Sequence, residues 1–309
     1  MQVEEELAGL SPQQDMILAI GVFDGVHLGH QYLILKLKEE AGKQELLTGV
    51  ITFHEHPQEV VSTDIKLPFL TDLKERSNLL KGAGVDAIIS LTFTEELSQL
   101  SASQFVSLLQ KHLRMRGLVI GSDFALGKQR EGNIDVLREL GRKMNFSVNV
   151  VTPFRVNGEV ISSTAIRRAI ADGDMEKVHR MVGRPFRLRG MVVSGAGRGA
   201  ELGFPTANLD INQRQALPAD GVYAGWAGIN GNTYRAMINV GQCPTFDGSE
   251  RTAEVHVVDY QGDLYGRELK VDIMQRLRGE VKFRSIDELK KQIMEDVRQG
   301  REILKAEGR

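Results

Sequence analysis

Apolar and polar positions follow one pattern up to about residue 183 and another beyond it. In the first half, short apolar runs alternate with stretches of helical spacing. Met16-Ile17-Leu18-Ala19-Ile20 is a compact apolar run that stops at Gly21. Similar runs at 47–53, 87–91, 117–121 and 147–151 predict further strands. Residues 31–41 place Leu33, Ile34 and Leu37 at helical spacing, and 73–82, 101–113 and 133–144 also read as helices. Strands alternating with helices predict a parallel sheet with helices on both faces. Residues 164–182 read as a helix interrupted at Gly173 and ended by Gly183-Arg184-Pro185.

The second half carries β-type runs at 188–193, 222–229, 234–240, 253–260 and 269–277, separated by Gly, Pro, Asn and Asp. Asn230-Gly231 is a strong hairpin signal. This punctuation predicts a small antiparallel barrel or sandwich. A last helix at 286–305 places Leu289, Ile293, Val297 and Leu304 on about one face. The expected organisation is therefore an α/β domain over 1–183 and a β domain with a C-terminal helix over 184–309.

Length agrees, since 309 residues suit two domains of about 150 each. A net charge of −2, from 39 basic and 41 acidic residues, lacks the basic footprint of bulk nucleic-acid binding. No apolar run approaches the roughly 20 residues of a membrane span, and the acidic start Glu4-Glu5-Glu6 is unlike a signal peptide. With one cysteine, Cys243, no intramolecular disulfide and no cysteine-based zinc site can form. A cytoplasmic location is expected, with no membrane and no obligate protein partner.

Two segments carry candidate chemistry in the first half. Gly21 to Gln31 follows the first strand and opens the first helix, where open α/β sheets bind ligands. Its glycines permit close backbone approach, and a helix start presents N–H groups to phosphate. His27 and His30 are three apart and share a helical face, where two imidazoles can stabilise charge developing in a transition state. Two ordinary first-turn histidines are the alternative. Ser162-Ser163-Thr164 with Arg167 reads either as a helix cap or as a phosphate clamp.

In the second half, Gly195 to Ala200 fits a dinucleotide fingerprint in letters only. Pro205 falls where the required helix would run, so a glycine-rich loop over phosphates fits better. Gly121 to Lys128 fails as a P-loop because Gln129 stands where Ser or Thr must bind magnesium. Thr206 and Asn208, two apart on an extended segment, offer neutral oxygens to one side, which suits Mg²⁺ shared with nucleotide phosphates. A proline-led turn with polar caps is the alternative. Glu254 taken alone reads as a solvated strand carboxylate, and His256 should face the same side. Trp226 reads as a core aromatic, Glu280 and Lys282 as a surface pair, and Cys243 has no assigned role.

Several of these strings occur together in one known family. His27-Leu28-Gly29-His30 resembles the HxGH signature of nucleotidylyltransferases, and Ile161 to Arg167 resembles their ISSTxxR motif. Gly21 to Gln31, Gly121 to Gly127 and Thr52 to Pro57 resemble segments of the bacterial bifunctional riboflavin kinase/FAD synthetases. Leu126 and Glu55 depart from that pattern, replacing an aromatic and a proline. Gly203-Phe204-Pro205-Thr206-Ala207-Asn208 matches the riboflavin kinase GFPTAN motif in full. Gly221 to Ala224, Asn239 to Thr245, Glu254 to His256, Asp263 to Gly266 and Leu277 to Phe283 follow the same family.

The resemblance implies a Rossmann-like N-terminal domain that adenylylates FMN to FAD with release of pyrophosphate. It implies a C-terminal barrel that phosphorylates riboflavin to FMN with ATP, yielding ADP. Mg²⁺ is the implied cofactor. His27 and His30 would act on the ATP phosphates, with Gly21, Phe23, Asp24, Gly25 and Asp123 lining the nucleotide. Ser163, Thr164 and Arg167 would hold the departing pyrophosphate. In the barrel, Gly203, Pro205, Thr206 and Asn208 would hold the nucleotide. Thr206 and Asn208 would also bind its metal, Glu254 would be the base, and Arg267 would contact flavin or phosphate. A kinase with a silent N-terminal module and a non-catalytic flavin sensor are the alternatives.

Overall fold

The structure is a computed structural model that describes residues 1–306 apart from 11, 63, 65, 196–197 and 246–247; at 198, 200, 243–245 and 248–250 only the backbone is described. Ala196 and Gly197 of the glycine-rich loop, and the side chain of Cys243, thus lie outside the described residues. The chain forms two compact units, Met1–Ser162 and Ser163–Arg309.

The first unit is an open parallel sheet. Its strands are β1 (Met16–Ile20), β2 (Leu47–Phe53), β3 (Ala87–Leu91), β4 (Met115–Gly121) and β5 (Ser147–Val151), in the order β3-β2-β1-β4-β5. Its helices are α1 (Gln2–Ala8), α2 (Leu28–Gln44), α3 (Pro57–Val61), α4 (Leu73–Gly82), α5 (Glu95–Ser98), α6 (Ala102–Leu113) and α7 (Ile134–Met144). Alternation along β1 divides the core. Met16, Leu18 and Ile20 join Val3 and Leu7 of α1, Phe105 and Leu109 of α6 and Leu137 of α7. Ile17 and Ala19 face Ile34, Leu37 and Ala41 of α2 and Leu80 of α4. Helices thus cover both faces, as the alternating pattern predicts. β1 pairs with β4 as well as with β2, so strand order reverses between β1 and β4, and the crevice at their carboxyl ends is the ligand position of such sheets. A short hairpin of β6 (Arg155–Val156) and β7 (Glu159–Val160) ends the unit.

The second unit opens with α8 (Ser163–Ala171) and α9 (Met175–Val182), broken at Gly173 in left-handed backbone (φ 75°) and ended by Gly183 (φ 78°). A closed six-stranded antiparallel barrel follows, in the order β10-β11-β12-β9-β8-β13. Its strands are β8 (Phe186–Val193), β9 (Ala207–Ile211), β10 (Gly221–Ile229), β11 (Asn232–Thr245), β12 (Gly248–Val257) and β13 (Glu268–Arg278). The short α10 (Arg198–Glu201) precedes β9, and α11 (Ile286–Ala306) ends the chain. Trp226 is buried in a second core outside the barrel, with Ala224, Met237, Met274 and, from α11, Leu304. Gly300 permits this approach, because a Cβ there would collide with the Met237 side chain. Beside it, Asp296 accepts from the Arg278 guanidinium at 2.8–3.1 Å.

The sequence expectation lacks α3, α5, α10 and the β6–β7 hairpin, and it also lacks two elements with a clear physical reason. The acidic start folds as α1, since Val3 and Leu7 are one turn apart and both buried. The run through Ala207–Ile211 is a full barrel strand, because Ala207, Leu209 and Ile211 alternate inward behind a turn-like leader.

Candidate active sites

In the first unit the loop after β1 turns through three left-handed residues, Phe23 (φ 54°), Gly25 (φ 81°) and Val26 (φ 37°). Such backbone in non-glycine residues must be held by its surroundings. The buried polar side chains Asp24, Thr52, Thr71 and Arg76 supply that hold. Asp24 accepts from the Leu70 and Thr71 amides at 2.9–3.0 Å, and Gly25 N–H donates to the Thr71 hydroxyl at 3.0 Å. Thr52 donates to the Val22 carbonyl at 2.8 Å. Asp24, expected to line the nucleotide, is therefore turned inward and braces the loop. The Phe23 ring is also buried, and a Cβ on Gly21 would sit 3.3 Å from that ring, a tight contact.

His27 caps α2: its Nδ1 accepts from the His30 amide at 3.3 Å. The neutral ring then carries its proton on Nε2. The two imidazoles stack, with centroids 3.6 Å apart and planes 16° apart. Gly29 makes room, since a Cβ would lie 3.2 Å from the His27 ring and 3.3 Å from the Ile161 carbonyl. Burial, followed by the charges of His27 and Arg76, holds His30 well below the ordinary histidine pKa, so it is neutral at physiological pH. Its Nδ1 is buried with no hydrogen-bond partner among the described residues. The pair stands at a helix N-terminus, a setting suited to phosphate oxygens.

Asp123 is exposed just beyond β4, across the crevice from the β1 loop, with a carboxylate oxygen over Gly121. Leu126 is buried in the sheet core and bridged to Gly132, so this departure from the family pattern is absorbed by packing. Glu55 is exposed beyond β2. Ser163, Thr164 and Arg167 open α8 in the second unit, with Ser163 and Arg167 one turn apart on the helix.

The barrel site is built by register. Ala207, Leu209, Ala253 and Val255 point inward and are buried, so Thr206, Asn208, Glu254 and His256 lie on the outer face. Asn208 pairs directly across from Glu254, and Glu254 directly across from Asn239. The three side chains form one row over adjacent strands, with neighbouring Cβ atoms about 5 Å apart. Asn239 belongs to this row although spacing alone gave no reason to select it. Gly195 and Gly199 lie against the row. A Cβ on Gly195 would collide with the Asn208 amide, and one on Gly199 would lie 3.1 Å from the Thr206 hydroxyl. His256 fastens the segment by donating from Nδ1 to the Pro205 carbonyl at 2.9 Å, and its ring meets Phe204 edge-on. Gly203 is left-handed (φ 88°), which starts the turn into β9. Arg267 is exposed, and its carbonyl accepts from Val192, next to the residue paired with Asn208. Glu280 lies over Gly241 on β11, so it belongs to this outer face as well.

These donors fit a magnesium–nucleotide. The hydroxyl and amide oxygens suit a hard cation, and the loop leaves a cradle that a side chain would fill. Among the described residues, no group of three or more His, Cys, Asp or Glu side chains is placed to hold a metal by itself.

Comparison with known proteins matches both halves of the chain. The FAD synthetase family model matches residues 10–165, and the riboflavin kinase model matches residues 182–304. The chain is 39% identical over 295 residues to the bifunctional riboflavin kinase/FMN adenylyltransferase of Escherichia coli strain K12, covering 95% of this chain and 94% of that one. It is 37% identical to the Listeria monocytogenes protein described in the same words, covering 91% and 90%. A crystal structure described as a macrolide-efflux protein from Streptococcus pneumoniae superposes with a TM-score of 0.90 at 34% identity over 97% of each chain. No described helix here is long and apolar enough to cross a membrane. With an FAD synthetase match on its parallel-sheet half and a riboflavin kinase match on its barrel, the chain belongs to the bifunctional riboflavin kinase/FMN adenylyltransferase family.

Proposed function

We propose that the outer face of the barrel phosphorylates riboflavin and that the β1–α2 loop adenylylates the resulting FMN. The observation that carries the reading is the Asn208–Glu254 pair beside Thr206, next to Gly195 and Gly199, which leave room for phosphate. In the kinase step the Glu254 carboxylate takes the proton of the riboflavin 5′-hydroxyl as that oxygen attacks the γ-phosphorus, and ADP leaves. Thr206 and Asn208 hold the Mg²⁺ of the nucleotide. A bound Mg²⁺ would supply positive charge that favours transfer of the phosphate. Gly203 and Pro205 shape the turn that presents these two side chains, and Arg267 contacts flavin or phosphate from the neighbouring loop.

In the second step an FMN phosphate oxygen attacks the α-phosphorus of ATP, and the bond to pyrophosphate breaks. No protein nucleophile is needed, so the work is positioning and charge stabilisation. His27 and His30 donate to the phosphates, Gly21, Phe23 and Gly25 bring backbone close, and Asp123 approaches the nucleotide from β4. Ser163, Thr164 and Arg167 hold the departing pyrophosphate. The functional boundary is placed at residue 183, with α8 and α9 serving the adenylyl step. The near-neutral charge and single cysteine support a cytoplasmic enzyme that acts on small molecules, without nucleic acid, membrane or an obligate protein partner.

A magnesium titration of riboflavin phosphorylation tests the barrel assignment. Asn208→Ala should raise the Mg²⁺ needed for half-maximal rate and lower the maximum. An unchanged magnesium dependence in that variant would remove Asn208 from the metal site.

A further inference from the structure

Arg76 carries a full charge in a place that sequence reasoning gives no reason to expect. It lies on α4 and is 4% exposed. Nη1 donates to the Thr52 hydroxyl at 3.2 Å and to the Phe53 carbonyl at 2.9 Å, and Nη2 donates to the Thr71 carbonyl at 3.4 Å. Two of these three residues, Thr52 and Thr71, lead to the histidine loop. Thr52 donates onward to the Val22 carbonyl, and Thr71 holds Asp24 and Gly25. One guanidinium therefore ties the carboxyl end of β2 to the segment that clamps the left-handed turn. A buried cation is costly unless it is hydrogen-bonded and serves a purpose that an apolar residue would not. Planar donors on a rigid fork suit three fixed acceptors in a way that a lysine ammonium does not.

We propose that Arg76 is a positioning residue for adenylyl transfer. It fixes the Val22–His27 turn and holds a buried positive charge on the segments that brace it. It does not touch the reacting atoms. The charge is felt at the site, since Arg76 is, after burial and His27, among the causes that hold the His30 pKa low. The inference rests on the reading of His27 and His30 as the phosphate site.

The test uses the full chain with Arg76→Met, Arg76→Lys and, separately, His30→Ala. FAD formation from FMN is measured at saturating ATP, per folded molecule as counted by thermal unfolding. Arg76→Met should lower kcat by about 10²-fold, the scale of an ångström-level misplacement, with a smaller change in KM. Arg76→Lys should recover only part of that loss. Histidine NMR titration supplies a readout that simple destabilisation would not move: the His30 pKa should rise in Arg76→Met and stay low in Arg76→Lys. Wild-type kcat in folded Arg76→Met, or an unmoved His30 pKa, would overturn the proposal. Retained FAD synthesis in His30→Ala would instead overturn the underlying site assignment, so the two failures are distinguishable.

Discussion

The two units assemble their chemistry in opposite ways. In the first, the working groups are close in sequence, His27 and His30, and stack on one another. What holds them is remote: Thr52, Leu70, Thr71 and Arg76 reach back from three other segments. In the second, the working groups are remote, Thr206 and Asn208 on one strand and Glu254 on another, and antiparallel register alone makes them neighbours. What holds them is simple, an inward row of small apolar residues and one histidine bonded to Pro205. A loop site depends on buried polar bracing, whereas a barrel site depends on register, which a closed sheet fixes because a one-residue slip would turn the inward row outward.

That contrast can be broken by substitutions that should act on one unit only. The largest effect is expected at Glu254. Glu254→Gln should cut riboflavin phosphorylation by roughly 10²–10⁴-fold, while supplied FMN is still converted to FAD in a chromatographic assay. Next is the Arg278–Asp296 pair. Asp296→Ala leaves the partly buried Arg278 guanidinium without this carboxylate and should lower barrel stability by about 3 kcal/mol, the low end for a buried pair. Denaturant unfolding followed by the fluorescence of Trp226, the single tryptophan, reports on this unit directly. His30→Ala should lower FAD formation by about 10²–10³-fold and leave riboflavin phosphorylation in place. Gly195→Ala should be milder. Its Cβ displaces the Asn208 amide rather than backbone, so KM for ATP in the kinase assay should rise several-fold with little loss of stability.

The smallest effect is a pH dependence. His30 is held well below its ordinary pKa in the folded chain, so the unfolded chain binds its proton first as pH falls. Stability present above about pH 6.5 is therefore lost as pH drops toward the folded value, at no more than about 1.4 kcal/mol per pH unit. Unfolding midpoints between pH 7.5 and 5.5 should show this slope in the wild type and a shallower one in His30→Phe. Equal slopes would mean that His30 is not held neutral.

The same contrast explains what the sequence makes legible. Strand–helix alternation shows the parallel sheet, and turn punctuation shows the barrel, because each follows from local periodicity. His27 and His30 are legible because their chemistry is local. Thr206, Asn208 and Glu254 are linked before folding only through family resemblance, since no spacing rule pairs position 208 with 254. Asn239 escaped for the same reason. Asp24 was expected at the nucleotide, but a carboxylate in a glycine-rich turn is equally suited to binding the backbone amides of Leu70 and Thr71. Arg76 left one faint signal. It sits four residues before Leu80, on the buried face of α4, where an apolar residue would be ordinary.

The most direct test of two separate sites on one chain is a time course with riboflavin, ATP and Mg²⁺ that resolves riboflavin, FMN and FAD. Wild type, His30→Ala and Glu254→Gln should be run side by side. The account predicts transient FMN followed by FAD in the wild type, arrest at FMN in His30→Ala, and FAD from supplied FMN but not from riboflavin in Glu254→Gln. Loss of both reactions in either folded variant, or FMN accumulating without FAD in the wild type, would contradict it.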